Sequence, residues 1–220
     1  NLYEKEILKL KDLKKIYPCF ETEEELALKR KTLLSAGKPP IYDRSSLELS
    51  NDQINDLISK GKKPHWRFKL DDEKIEWNDL IKGNISFDSK KLSDPILIRE
   101  DGSFLYHLPS VIDDIEENIT HILRGEDHIT NTAFHIQIFK SLGVKIPIFG
   151  HHPFLLDNKG KGFAKRLGGL SIQQLSEEGF ENITLFNYLL NIGTSNNISK
   201  DKNINNLISN FNINKLGSSP

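Results

Sequence analysis

Methionine is absent from all 220 residues, position 1 included, and the sequence breaks off after Leu216-Gly217-Ser218-Ser219-Pro220. A chain of ordinary composition and this length carries several methionines, so the sequence reads as a piece of a longer polypeptide. Cysteine is nearly absent too. One residue, Cys19, excludes an intrachain disulfide and any Cys-rich zinc site. It has no His or Asn context for nucleophilic use, so a buried, idle thiol is expected. No apolar run approaches the roughly 20 residues that cross a bilayer, and the opening NLYEKEILKLKDLKK carries charge throughout, unlike a secretory signal core. The default compartment is therefore the cytoplasm. Excess charge is lacking as well: 30 Lys and Arg face 31 Asp and Glu, a formal net charge of -1. That balance rules out a uniformly basic nucleic-acid coat, though not a local basic patch. There are no internal repeats, and the Asn/Ile/Lys-rich tail reads as biased base composition.

What is present begins with Leu2, Ile7, Leu10, Leu13 and Ile16 at helical spacing. This predicts a helix from Leu2 that Tyr17-Pro18 ends, because the residue before proline is pushed out of the helical region. Thr22 and Glu25 form a capping-box signature for a second helix reaching about Ser35, which Gly37-Lys38-Pro39-Pro40 terminates. Asp52–Ser59 predicts a third, amphipathic helix. From His65 the texture changes to short strands at His65–Leu70, Ile75–Trp77 and Ile96–Arg99, and Glu100-Asp101-Gly102 predicts a hairpin turn. The order then becomes helix (His107–Ile115), strand (Ile119–Leu123), helix (Ile129–Leu142), strand (Ile146–Phe149), which points to a parallel α/β layer. Beyond Arg166 the pattern is helical and strandless: Ser171–Glu178, Leu185–Leu190 and Asn203–Phe211.

Two constellations suit an anionic, phosphate-bearing ligand. Arg124-Gly125-Glu126-Asp127-His128 follows an apolar strand, and the C-terminal ends of parallel strands are where open α/β sheets bind ligands. An arginine fork there fits a carboxylate or phosphate, and the glycine permits close backbone approach; a charged loop capping the next helix is the plain alternative. Gly160-Lys161-Gly162-Phe163-Ala164-Lys165-Arg166-Leu167-Gly168-Gly169 interleaves glycine with cations, as a polyphosphate-binding loop does, but lacks the Walker order; a solvated basic turn explains it too. The histidines carry no metal spacing such as HExxH, and His151-His152, being adjacent, point in different directions. Asp113-Asp114 reads as helix capping. His65-Trp66-Arg67-Phe68-Lys69 fits either stacking on nucleic acid or a half-buried strand.

Taken in order, these segments resemble a class I glutamyl-tRNA synthetase along nearly the whole chain. YPCFETEEELALKRKTLLSAGKPPIYDR (17–44) resembles the stretch around the family's zinc knuckle and the following helix. DPILIREDGSFLYHLPSVIDDIEENITHILRGEDHITNT (94–132) is the most specific part, and HHPFLLDNKGKGFAKR (151–166) occupies the place of the KMSKS-type loop. The resemblance implies an α/β fold: the second half of a Rossmann-type catalytic domain at 106–158, an α+β acceptor-stem-binding insertion at 1–105, and the KMSKS-type loop with a helical stem-contact region at 159–220.

It also implies roles. Tyr106, Ser110 and Arg124 match residues around the glutamate substrate, with Arg124 pairing the side-chain carboxylate and so rejecting glutamine. Asp127 and Leu155 match ATP contacts, Leu155 through its backbone to the adenine. Lys165 matches the second lysine of the loop, the catalytic cation that steadies the triphosphate, and Arg166 stands beside it. The implied cofactor is ATP with Mg2+ as a substrate complex. The implied partners are glutamate and the acceptor stem of tRNA(Glu), with no membrane, and the implied protein is a cytoplasmic monomer. Departures from the pattern are Ala164 at the loop's serine, Gly162 at its first lysine, and a knuckle reduced to Cys19, so no zinc or other metal is expected. The family's first Rossmann half, with its HIGH motif, and the anticodon-binding part are not in the sequence, so this piece alone is expected to be inactive. Three rivals remain: a shorter paralogue that glutamylates a modified tRNA base, a non-catalytic acceptor-stem-binding fragment, and a metal hydrolase built on GEDH and His151-His152.

Overall fold

The computed structural model describes residues 2–156, 160, 171–194 and 203–218. Helix α1 (Leu2–Asp12) forms on the helical recurrence of Ile7 and Leu10, which are buried. It stops earlier than the sequence predicts: Lys14 takes a left-handed turn (φ 54°), and Ile16–Cys19 is strand β1, not the end of a helix. The physical reason is pairing. β1 lies antiparallel to β2 (His65–Phe68), with Ile16 opposite Phe68 and Pro18 opposite Trp66, and β5 (Ile96–Ile98) flanks β2 on its other side. β1 is thus an edge strand, where a sheet tolerates a residue without an N–H.

α2 (Glu23–Ser35) starts as its sequence signals, with Thr22 Oγ1 accepting from Glu25 N and the Glu25 carboxylate accepting from Thr22 N. α3 (Asn51–Ser59) carries the same reciprocal cap between Ser50 and Gln53. β3 (Lys74–Asp79) and β4 (Gly83–Asp88) pair as a two-stranded hairpin. After β5 the Glu100-Asp101-Gly102 turn does fold the chain back, bridging Ile98 to Phe104. α4 (His107–Glu116) buries Leu108, Val111 and Ile112 and meets α1, where the Tyr3 hydroxyl donates to Asp113 at 2.7 Å. Next come β6 (His121–Gly125), α5 (Ile129–Ser141) and β7 (Ile148–His152). β6 and β7 are parallel, as the alternation predicts. The described residues beyond them hold α6 (Ile172–Glu177), α7 (Asn182–Gly193) and α8 (Ile204–Asn210), with one bridge, Thr194 to Leu216, in a stretch the sequence pattern leaves strandless.

Two compact units result. One comprises Asn1–Trp77, Ser86–Thr120 and Thr130–Pro147; the other comprises Asn78–Ile85, His121–Ile129 and Ile148–Pro220. The first unit's core includes Leu10, Cys19, Phe68, Leu97 and Val111, all fully buried. In the second unit β6 and β7 come so close that a Cβ on Gly150 would stand 2.7 Å from Leu123 Cδ2. Among the described residues, no helix is long and apolar enough to cross a membrane.

Candidate active site

In the second unit the parallel register sets Arg124 opposite His151 and Gly125 opposite His152, so the charged run begins where β6 ends. Arg124 Nε lies 3.4 Å from His151 Nε2, and its guanidinium carbon is 5.5 Å from the centre of the Phe149 ring. His151 Nδ1 in turn meets the Asp79 carboxylate at 2.5 Å, and both of these side chains are fully buried. Asp79 Oδ1 also accepts from the main-chain N–H groups of Ile81, Lys82 and His151. Burial alone would raise the Asp79 pKa, but these hydrogen bonds outweigh it and hold the carboxyl below its ordinary value. For His151 burial dominates, reinforced by the charges of Arg124 and His128, and its pKa is lowered despite Asp79.

Past Arg124, the single 3-10 turn Glu126–His128 presents Asp127 at the surface, 3.7 Å from His128 Nε2. A Cβ at Gly125 would fall 2.6 Å from Asp127 Oδ1, so a larger residue there would oblige the Asp127 side chain to move. Glu126 is tied to Lys82 at 2.6 Å, an ion pair that lowers its pKa. Leu155 is 53% exposed. Lys165 and Arg166, with the rest of 161–170, lie outside the described residues.

In the first unit, Tyr106 opens α4 and Ser110 follows one turn later, its N–H donating to the Tyr106 carbonyl at 3.1 Å. Those two predicted residues therefore do share a helix end. The Tyr106 ring lies 5.5 Å from those of both His107 and His135, and His107 Nδ1 is 3.2 Å from His135 Nε2. His135 is fully buried. The sequence reasoning missed the Asp79–His151 pair, for which the only signal was a histidine directly following a strand.

Other candidates resolve differently. Residues 65–69 form no open stacking platform: β2 is the central strand, Arg67 stacks on Tyr42 at 4.0 Å, and Lys11 sits 3.9 Å over Trp66. Asp113, read as a cap, is instead the acceptor for Tyr3 from within α4. His151 and His152 do diverge, the latter meeting the Pro153 carbonyl.

Among the described residues, the group of three donors close enough to share an ion is Cys19, Glu21 and His65, within 4.8 Å of one another. They do not fit a zinc site. They are three where a closed structural site takes four ligands, and the Glu21 carboxylate already accepts from Tyr42 (2.8 Å), Ser46 (2.9 Å), Ser45 (3.1 Å) and Lys29 (3.4 Å). The cluster is a hydrogen-bonded knot.

That knot predicts acid sensitivity. Burial, aided by Arg67, pushes His65 from 6.5 down to about 4, and its Nε2 has no hydrogen-bond partner among the described residues. Glu21 is held at about 2, below 4.5, because the Tyr42, main-chain, Ser46 and Ser45 hydrogen bonds overcome burial. Between pH 6.5 and 4 the unfolded chain takes a proton that folded His65 refuses, so stability present above 6.5 is lost as pH falls through that window. Glu21 then loses its share between 4.5 and 2. Each is worth about 3 kcal/mol. Denaturant melts at pH 7 and pH 4.5 are expected to show a wild-type loss of about 2 kcal/mol, most of which His65→Leu removes.

Comparison with known proteins identifies the frame. The family model described as "tRNA synthetases class I (E and Q), catalytic domain" matches residues 2–219. A protein named glutamate–tRNA ligase 2 from Hyphomonas neptunium is 49% identical over 212 residues, covering 96% of this chain and 48% of that protein. A glutamate–tRNA ligase from Azospirillum brasilense is 49% identical over 208 residues, covering 94% of this chain and 47% of that one. The crystal structure of a glutamate–tRNA synthetase from Elizabethkingia anophelis superposes with a TM-score of 0.81 at 25% identity, over 99% of this chain and 50% of that one. A glutamate–tRNA ligase from Elizabethkingia meningosepticum in complex with its amino acid gives 0.79, also at 25% identity, over 99% and 49%. The chain thus spans about half the length of the curated relatives it matches.

Proposed function

Because the chain belongs to the class I tRNA synthetases for glutamate and glutamine, with their catalytic-domain fold, we propose that the complete protein attaches glutamate to tRNA(Glu) through a glutamyl-adenylate. The observation that carries this reading is Arg124, a guanidinium at the C-terminal end of a parallel strand, steadied by a buried imidazole. A planar fork of N–H donors fits a carboxylate with two parallel bonds, which selects glutamate over its amide. The family resemblance assigns Tyr106 and Ser110 to contacts with the amino acid, and Asp127 and Leu155 to contacts with ATP. Lys165 and Arg166 meet the triphosphate, which arrives with its own Mg2+. The α-carboxylate of glutamate attacks the α-phosphorus and pyrophosphate leaves; a terminal ribose hydroxyl of the tRNA then attacks the acyl carbon and AMP leaves. The chain's own residues contribute position and charge.

Residues 1–105 serve as the acceptor-stem-binding insertion, 106–158 as the second catalytic half, and 159–220 as the loop and stem-contact region, in a cytoplasmic monomer. The test uses tRNA from which the terminal adenosine has been removed, which leaves every modified base intact. Glutamate transfer to intact tRNA that disappears on the truncated tRNA supports the reading. Transfer that survives truncation assigns the protein to modified-base glutamylation instead, and no transfer to either leaves only an acceptor-stem binder.

A further inference from the structure

The Asp79–His151–Arg124 line is polarised in one direction only. An ionised carboxylate can only accept, so the His151 proton sits on Nδ1, facing Asp79. A neutral imidazole protonated on Nδ1 offers a lone pair at Nε2. A guanidinium can only donate, so Arg124 Nε–H points at that lone pair, across 3.4 Å. Each partner fixes the next. The Asp79 carboxylate is itself immobilised by three main-chain N–H groups at 3.0–3.1 Å, and the His151 ring is stacked on Phe149 with centroids 6.4 Å apart and planes within 14°. With Nε directed at His151, a carboxylate bound by this fork would be met through the terminal nitrogens.

We propose that Asp79 and His151 are positioning residues for the amino-acid substrate: together they hold the tautomer and ring orientation that aim the Arg124 guanidinium at the glutamate side chain. This rests on the reading of Arg124 given above. Burial, with the Arg124 and His128 charges, keeps the imidazole neutral, as the relay requires. Were the pair only a tie between the Asp79 turn and β7, reversing the tautomer would leave substrate affinity untouched.

Asp79→Asn reverses it. The asparagine oxygen still accepts the three main-chain N–H groups, but its amide donates to His151 Nδ1 and forces the proton onto Nε2, donor against donor at Arg124. In the native polypeptide that carries this chain, the KM for glutamate is expected to rise on the order of 10- to 100-fold, while the KM for ATP stays within about twofold. His151→Gln, which places an amide oxygen near the former Nε2, is expected to keep the glutamate KM well below that of His151→Leu. Equal KM values for the Gln and Leu variants, a glutamate KM unchanged in Asp79→Asn, or glutamate and ATP KM values rising in parallel would each overturn the proposal. A readout independent of charging keeps the two readings apart: nitrogen-15 spectra of His151 at neutral pH should show the Nδ1–H tautomer in the wild type and Nε2–H in Asp79→Asn. A wild-type Nε2–H or doubly protonated ring refutes the relay even if charging is normal. The expected tautomers without any charging of tRNA refute the amino-acid role and the functional reading, leaving only the geometry.

Discussion

Arg124→Gln is expected to lower kcat/KM for glutamate by a factor of about 100 to 1,000. The substituted site would still enclose the substrate's side-chain carboxylate but would offer it an amide where a cation stood, and stranding one member of a hydrogen-bonded charge pair costs about 3–5 kcal/mol. Each 1.4 kcal/mol is about tenfold. The loss should fall mainly on the glutamate KM, since in the proposed role the guanidinium would bind a part of the substrate that does not react. Glutamine carries no charge to strand, so the preference for glutamate over glutamine should shrink by a similar factor. Arg124→Lys is expected to recover only part of the loss: an ammonium restores the charge but neither the fork nor the Nε–H that meets His151. Steady-state charging with glutamate and glutamine titrated separately reads all three effects.

Asp94→Ala is expected to destabilise the first unit by about 3–5 kcal/mol. The Asp94 side chain is fully buried and accepts four bonds: the Tyr17 hydroxyl at 2.7 Å, Arg44 Nε and a terminal Arg44 nitrogen at 3.0 Å each, and Leu70 N at 3.0 Å. It therefore joins β1, the residues after β2 and the Arg44 turn at one point. Arg44 stands at a left-handed φ of 59° and is held there by Asp94, Asp72 and the Leu70 carbonyl. Removing the carboxylate strands a hydroxyl and half a guanidinium in a buried place, where each unpaired donor carries its full desolvation cost. The melting temperature should fall by about 10 °C, at roughly 2–4 °C per kcal/mol for a chain of this size. Asp94→Asn should cost less, because its oxygen can still accept from Tyr17 or Leu70 while its amide opposes Arg44. Thermal unfolding followed by circular dichroism measures both.

Local signals served the fold well where they are self-contained. The Thr22–Glu25 capping box formed as written, and the strand–helix alternation after His107 gave the parallel β6–β7 pair. They failed where a distant partner decides. Ile16 continues the helical spacing of Leu10 and Leu13, so nothing local marks Ile16–Cys19 as a strand; β2, some fifty residues later, does. β4 escaped notice because its alternation is between exposed and half-exposed residues, and only the positive φ at Gly83 marks its turn.

The candidate site divides the same way. The placement of Arg124 near the end of a parallel strand was legible because it follows an apolar run, a placement with chemical meaning before any pairing is known. Asp79 was not, because its partner His151 lies 72 residues away and its other bonds go to main-chain groups that any sequence supplies. Glu21 was illegible for a related reason: four donors, from Lys29 to Ser46, converge on a carboxylate that looks like any surface glutamate.

The most direct test of the account is ATP-dependent charging of unfractionated tRNA by the native polypeptide, with labelled glutamate and labelled glutamine run side by side. The account predicts glutamate esterified to tRNA and glutamine transferred at least about 1,000-fold less efficiently, the discrimination a charge-reading arginine provides. Glutamine charged as well as glutamate, or no ATP-dependent transfer of glutamate at all, would contradict it.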